Sequence, residues 1–208
     1  MRASTTIDTS KSLAELTGVD WGAAPADVNA RAEHGLFDPV TNPEGWLIYA
    51  EPLTQTFNTA VVHHSALSLS DGPRAIQELH MRVKGYADIG YHIVIDSFGV
   101  LYEGRVLNAR GAHTGGHNTG TVGIVLLGNF NVIQPFAVQL GALRLLTAYL
   151  KVAYHITHLA GHRDFQPDET ECPGLYLEQR LPALAAALDL KFGTDGYVPP
   201  PWSKPSPP

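Results

Sequence analysis

The sequence predicts a single α/β domain with a central mixed β-sheet flanked by about three helices. Short apolar runs alternate with longer segments whose apolar residues recur at helical spacing. One run, 122–127, is apolar at nearly every position, as is typical of a central strand covered on both faces. The chain has 208 residues, of which 44% are hydrophobic, and this suits one domain with extensions.

The first half of the chain supplies a strand, a helix and a hairpin. Residues 59–63 (TAVVH) form a short β-branched run that predicts a buried strand. A helix is expected over 73–85, because Pro73 suits its first turn and Gly85 its end. Residues 91–96 and 100–103 flank a turn and predict a β-hairpin.

The second half begins with the central strand over 122–127 and continues with helices and one more strand. Apolar residues at helical spacing predict an amphipathic helix over 135–153. A strand over 156–160 and a final helix over 175–190 follow.

The sheet and its helices occupy the middle of the chain, and less regular segments lie on both sides. We divide the chain into an N-terminal arm (1–20), a domain (21–192) and a proline-rich tail (193–208). Within the domain, scattered Pro and Gly residues make 21–57 an irregular wrapping segment.

Composition excludes some classes of partner. The formal net charge is −6 and there is no lysine- or arginine-rich run, so a nucleic-acid partner is disfavoured. No apolar run approaches the roughly 20 residues that cross a bilayer, and the N-terminus lacks the apolar stretch of a signal peptide. We expect a monomer, made in the cytoplasm, without a membrane or nucleic-acid partner.

Three side chains carry the chemistry of a metal site. His63 ends a predicted strand, His162 follows another, and Cys172 comes ten residues later. Imidazole and thiolate are preferred zinc donors, and a catalytic site uses three protein ligands and leaves a fourth position open. The same residues also fit a chance arrangement, because the chain has ten histidines and a lone cysteine is often an inert buried thiol.

Four segments, in order, resemble the type-2 N-acetylmuramoyl-L-alanine amidases, especially their peptidoglycan recognition protein branch. They are VVHHSA (61–66), YADIGYHIVIDSFGVLYEGR (86–105), GAHTGGHNTGTVGIVLLGNF (111–130) and GHRDFQPDETECPG (161–174). The resemblance implies an open groove with a zinc site, in which His63, His162 and Cys172 bind Zn²⁺. Non-catalytic members of the branch commonly have serine at the cysteine position, so Cys172 favours an enzyme.

The resemblance also implies roles around the metal. Tyr91 matches a residue that helps to activate water or to stabilise the oxyanion, and Thr170 matches a second oxyanion donor. The glutamate of another branch is replaced here by Val125, which cannot transfer a proton. His113 and Asn118 match substrate-binding positions. A loop-stabilising role remains open for His113, as does a turn role for Asn118.

The function that follows is zinc-dependent hydrolysis of peptidoglycan, at the amide between the lactyl group of N-acetylmuramic acid and L-alanine. With no leader in the sequence, an endolysin-like release onto the cell wall is expected. Two alternatives stay open: a peptidoglycan-binding protein without turnover, and a zinc peptidase or amidase for another substrate.

Overall fold

The domain is built on one six-stranded sheet. A computed structural model describes residues 17, 19–33 and 35–198. The strands follow the spatial order β3-β2-β4-β1-β5-β6, in which only the β2–β3 hairpin is antiparallel. Their bounds are Thr59–His64 (β1), Ile93–Ile95 (β2), Leu101–Glu103 (β3), Thr121–Leu126 (β4), His158–Gly161 (β5) and Lys191–Phe192 (β6). The predicted mixed α/β sheet is confirmed.

The helices cover both faces of this sheet. They are Leu53–Thr56 (α1), Pro73–Glu78 (α2), Ala137–Tyr154 (α3), His162–Phe165 (α4), Leu175–Glu178 (α5) and Leu181–Ala187 (α6). A π-helical turn, Leu79–Lys84, continues α2 as far as Gly85, whose φ of 73° ends it in the left-handed region. The predicted helix over 73–85 is therefore present, but its second half has the wider π geometry.

The final predicted helix, over 175–190, is wrong as a single element. Pro182 lies in the first turn of α6, where its missing N–H costs nothing. Inside one continuous helix the same ring would clash with the carbonyl of Glu178. The chain therefore breaks after Glu178 and restarts at Leu181. The short α1, α4 and β6 were not predicted, because two to four residues carry no readable period.

Two apolar layers form the core, one on each face of the sheet. On one face, Leu143, Leu146 and Leu150 of α3 are buried in the same cluster as Val62 and Ile124. On the other, the strand residues Val94 and Val125 cluster with Ile76 of α2. Because successive strand residues face opposite sides, His63 belongs to the α2 face and His64 to the α3 face. The functional site is therefore expected above the α2 face.

The segment predicted to wrap the domain is anchored by a buried ion pair. The Arg105 guanidinium is 1% exposed and lies 2.6 Å from a carboxylate oxygen of Glu33. It also stacks 4.7 Å from the ring of Trp46 and donates to the carbonyls of Ile89 and Arg110. Arg105 thus ties the wrapping segment to two loops of the domain.

The beginning of the predicted tail also packs on the domain. The Tyr197 hydroxyl donates to the Thr119 carbonyl at 3.3 Å, and its ring lies 5.2 Å from that of Phe165. Most of the predicted arm and the tail from 199 onward lie outside the described residues. Among the described helices, none is long and apolar enough to cross a membrane.

Candidate active site

The three predicted metal ligands converge at one edge of the sheet. His63 is near the end of β1, and His162 starts α4 immediately after β5. Because β1 and β5 are parallel neighbours, their carboxyl ends meet. One ligand atom from each of His63, His162 and Cys172 lies within 4.8 Å of the others. Sequence positions more than a hundred residues apart therefore form one group.

The distances within this group suit zinc. Tetrahedral zinc, about 2.3 Å from sulfur and about 2.0–2.1 Å from nitrogen, holds these donors about 3.6 Å apart. Nδ1 of His63 lies 3.5 Å from Sγ of Cys172. The Nε2 atoms of both histidines face other side chains, 3.1 Å from Nδ1 of His113 and 2.6 Å from Oε1 of Gln166. Nδ1 is thus the nitrogen left for a metal on each ring.

Burial sets the protonation state of the three ligands. It lowers the pKa of His63 well below its ordinary value, and the neighbouring His113 lowers it further. Burial also lowers the pKa of His162 and raises that of the Cys172 thiol to about 12. Without a metal the group therefore holds two neutral imidazoles and a protonated thiol near pH 7.

Tyr91 lies beside the ligand group. Its ring centroid is 5.0 Å from that of His63 and 5.3 Å from that of His80. Burial raises the pKa of its phenol, so the hydroxyl keeps its proton. His80 is itself buried, and its Nδ1 accepts the N–H of Gly90, the residue before Tyr91. Nothing in its sequence context distinguishes His80 from a structural or surface histidine.

His113 lies directly behind His63. Its Nδ1 is 3.1 Å from Nε2 of His63 and 2.9 Å from the Thr114 hydroxyl. The ring rests on the backbone at Gly111 and Gly123, where a Cβ on either glycine would overlap it. His113 contacts His63 and also lines the cleft described below. Contact of His113 with substrate stays a prediction.

Asn118 and Thr170 both make hydrogen bonds to the backbone. The Asn118 side-chain oxygen accepts the N–H groups of His113 and Thr114 at 2.8 and 2.7 Å, and the residue lines the cleft. The Thr170 hydroxyl accepts the N–H of Cys172 at 3.1 Å. Thr170 lines a separate hollow, with Arg163 and Asp164. Substrate binding by Asn118 and an oxyanion role for Thr170 stay predictions.

The residues that follow His63 and His162 in the sequence form hydrogen bonds with the backbone. His64 points away from the ligand group, as expected from strand alternation, and its Nδ1 accepts the N–H of Phe130. Arg163 and Asp164 bond to different segments: Arg163 donates to the Glu171 carbonyl, whereas Asp164 accepts the N–H of Gly161 at the end of β5.

An open cleft of about 430 Å³ leads to the site. Tyr91, His113 and His162 line it, together with residues from the wrapping segment and from the π-helical turn. The wrapping segment contributes Glu33 and Glu44, and the π-helical turn contributes Lys84. The cleft is therefore polar and carries charges of both signs.

Comparison with known proteins assigns the family. The family model described as N-acetylmuramoyl-L-alanine amidase matches residues 53–175, which is more than half of the chain. The chain belongs to this amidase family. The match contains all three ligand positions and Tyr91, His113, Asn118 and Thr170.

Relatives of this amidase-family chain include recognition proteins and named amidases. Peptidoglycan-recognition protein SC2 of Drosophila melanogaster is 36% identical over 132 residues, covering 59% of this chain and 71% of its own. An N-acetylmuramoyl-L-alanine amidase of Sus scrofa is 32% identical over 158 residues, covering 74% of this chain but only 24% of its own.

Solved structures show the same fold. The amidase LysC of Clostridium intestinale URNW has a TM-score of 0.60 at 35% identity, covering 70% of this chain and 95% of its own. Drosophila PGRP-LB has a TM-score of 0.63 at 27% identity, covering 85% of this chain and 95% of its own.

Several site residues of this amidase-family chain escaped sequence reasoning. Gln166 could have been found, because it follows His162 by four residues, one helical turn. Glu33, Glu44 and Lys84 had no such signal, since they reach the cleft only through the path of the wrapping segment and the π-helical turn. Val125, which replaces the glutamate of another branch, pairs with His63 in the register of β1 and β4 and is fully buried.

Proposed function

We propose that this protein hydrolyses peptidoglycan in a zinc-dependent reaction at the amide between the lactyl group of N-acetylmuramic acid and L-alanine. The observation that carries the proposal is the convergence of His63, His162 and Cys172 beside an open cleft that His162 lines. Membership of the amidase family and relatives named as peptidoglycan-recognition proteins and amidases support it.

The donor set fits zinc, and two imidazoles and one sulfur leave one position for water or substrate. Zinc held there would polarise the amide carbonyl and lower the pKa of a water to about 7. Tyr91 would donate its phenolic hydrogen bond to the developing oxyanion. Its raised pKa suits a donor rather than a base, because the phenol keeps its proton at neutral pH.

The cleft would accommodate a glycan strand with its stem peptides. It is open to solvent and lined by polar groups of both signs, which suits a polymer with sugar, amide and carboxylate groups. One solved relative is a complex of tracheal cytotoxin with the peptidoglycan recognition proteins LCa and LCx. His113 and Asn118 are the residues that we propose for substrate contact on the inner wall.

An endolysin-like role on the cell wall fits this chemistry. A second solved relative, from Clostridium intestinale URNW, is named as an endolysin N-acetylmuramoyl-L-alanine amidase. We propose that the protein degrades bacterial walls in the same manner and acts as a bacteriolytic enzyme.

Wall clearing by the purified protein tests turnover. We expect a suspension of purified walls to lose turbidity, a chelator to stop the loss, and added zinc to restore it. Mass spectrometry of the released material should show intact stem peptides with an unmodified L-alanine terminus. Fragments cut elsewhere would point instead to a zinc peptidase or another amidase.

Binding without turnover is the second candidate, because several relatives are named as recognition proteins. Retention of the protein on insoluble walls, with no clearing at saturating zinc, would favour it. The Cys172→Ser variant separates the two: the hydrolase loses zinc and clearing together, whereas a pure binder keeps its wall retention and has no clearing to lose.

A further inference from the structure

We propose that Gln166 is a positioning residue for the metal ligand His162. Its amide oxygen accepts a hydrogen bond from Nε2–H of the imidazole. The lone pair on Nδ1 is then directed at the metal position. The inference rests on the proposed zinc site and deepens it, because it assigns a residue outside the ligand set to the geometry of that site.

The local backbone places the two side chains together. Gln166 follows α4 directly, and its backbone N–H donates to the His162 carbonyl at 3.3 Å. Residues four apart on a helical turn have adjacent side chains. The amide oxygen of Gln166 accordingly lies 2.6 Å from Nε2 of His162.

This contact determines the tautomer of His162. An amide oxygen only accepts hydrogen bonds, so Nε2 must carry the proton. Zinc binds the neutral imidazole, and a neutral imidazole has a single N–H. Nδ1 is left with a free lone pair, which is what a metal requires.

A third residue determines which way the amide faces. The side-chain nitrogen of Gln166 donates to a carboxylate oxygen of Glu169 at 3.3 Å. Because a carboxylate only accepts, the nitrogen must point to Glu169 and the oxygen to His162. The chain Glu169–Gln166–His162 therefore has one consistent direction of donation.

His162 needs this support more than His63 does. The His63 residue is fully buried, so packing already restricts its ring. His162 is only half-buried and lines the open cleft. A hydrogen bond to the distal nitrogen is a common way to orient a metal-binding imidazole, and its loss typically costs 10–100-fold in metal affinity.

Nuclear magnetic resonance of the metal-free wild-type protein gives the first test. The ¹⁵N shifts of His162 near pH 7 should report the Nε2–H tautomer. Observation of the Nδ1–H tautomer would overturn the proposal without any variant. If the wild type proves unable to bind zinc, the proposed function fails, but the tautomer is still measured independently.

Variants give the second test, with zinc dissociation constants measured by chelator competition. Gln166→Leu should bind zinc roughly 10–100-fold more weakly and show a mixture of tautomers. Gln166→Glu should restore the zinc affinity and the Nε2–H tautomer, because a carboxylate also accepts a hydrogen bond from Nε2–H. Gln55→Leu, at an exposed position in α1, is the matched control and should change neither.

Gln166 also lines the cleft, so substrate contact is the rival explanation. A rise in KM for Gln166→Leu, with zinc affinity and tautomer unchanged, would establish that rival and overturn the positioning role. Zinc binding by Gln166→Glu that is as weak as that of Gln166→Leu would also overturn the positioning role. If Gln166→Leu does not fold, the wild-type tautomer and the zinc affinity of Gln166→Glu still decide.

Discussion

Tyr91 illustrates how its surroundings determine the chemistry that a residue can offer. Two imidazoles flank its ring, at centroid distances of 5.0 and 5.3 Å, and burial raises its pKa. A phenol in this position can donate a hydrogen bond but does not ionise near neutral pH. Its contribution to the reaction should therefore be separable from metal binding.

We expect Tyr91→Phe to lower kcat by roughly 10²–10³-fold, the usual cost of removing one oxyanion donor, while the zinc content stays at the wild-type level. Steady-state hydrolysis of a soluble muropeptide and metal analysis of the same sample check this. Tyr102→Phe, which removes a hydroxyl bonded to Asp96 on the hairpin, is the control and should stay near wild type. Near-full activity of Tyr91→Phe would remove Tyr91 from the mechanism.

Zinc binding should release about one proton per ion near pH 7. Burial keeps both histidine ligands neutral and keeps the Cys172 thiol protonated, with its pKa raised to about 12. Only the thiol then has a proton to lose, and the dissociation constant should fall about tenfold per pH unit as the pH rises. Calorimetry in buffers of different ionisation enthalpy measures the release.

The Cys172→Ser variant is the comparison for proton release, because a serine hydroxyl keeps its proton and binds zinc poorly. We expect it to contain little zinc and to release close to no proton. Release of two or three protons by the wild type would mean that the imidazoles are charged before the metal binds.

At the residue scale, the convergence of the three candidate ligands was predictable from the sequence, whereas the side chains that contact them were not. His63, His162 and Cys172 carry their chemistry in their side chains, and ordered motifs surround them. The contact of His113 with His63 depends on ring orientation behind a strand, and that of Gln166 depends on a four-residue helix. The first contact leaves no periodic signal in the sequence, and the four-residue spacing behind the second becomes informative only once this short helix is known.

At the scale of elements, β4 shows how a strand leaves space for the buried ring of His113. Thr121, Gly123 and Val125 share the site face of this strand, and the ring of His113 lies over Gly123. The absence of a Cβ at position 123 is therefore a packing requirement of the site.

We expect Gly123→Ala to lower the free energy of unfolding by roughly 1–3 kcal/mol, as overpacking usually does, and to reduce hydrolysis by displacing His113. Gly141→Ala is the matched control: this α3 glycine is exposed and a Cβ there meets nothing within 4 Å. It should stabilise the protein by roughly 0.5–1 kcal/mol through helix propensity. Urea unfolding of both variants measures these changes. Equal changes in the free energy of unfolding for Gly123→Ala and Gly141→Ala would contradict the packing argument.

Elements with a clear hydrophobic period were predicted well. Breaks and distortions that depend on a single residue or on local geometry were not. The central strand and the long helix α3 agree with their predicted bounds within two residues. The break before α6 depends on Pro182 alone, and the π-helical turn after α2 leaves no distinctive pattern. Local sterics, rather than hydrophobic periodicity, determine both.

At the scale of the whole molecule, the Arg105–Glu33 pair connects segments that the sequence places far apart. Removing one partner of a buried pair leaves an uncompensated charge and typically costs about 3–5 kcal/mol. We expect a loss of this order in the free energy of unfolding for Glu33→Gln, measured by urea denaturation. Glu78→Gln is the control, because its pair with Arg74 is exposed and should contribute under about 1 kcal/mol.

Equal stability of Glu33→Gln and wild type would show that Arg105 is satisfied without the carboxylate. Its hydrogen bonds to the Ile89 and Arg110 carbonyls would then be sufficient. A cost limited to the level of the exposed Glu78 control would contradict the buried-pair argument in the same way.

The ion pair also has a practical consequence for anyone who shortens this protein. The region matched by the family starts at residue 53, yet the carboxylate and the indole that enclose the Arg105 guanidinium belong to Glu33 and Trp46. A truncated chain starting at residue 53 would expose the Arg105 guanidinium and lose the wall of the cleft that Glu33 and Glu44 contribute. A minimal folded fragment should therefore retain the chain from about residue 24, where Ala24 is hydrogen-bonded to Gln77.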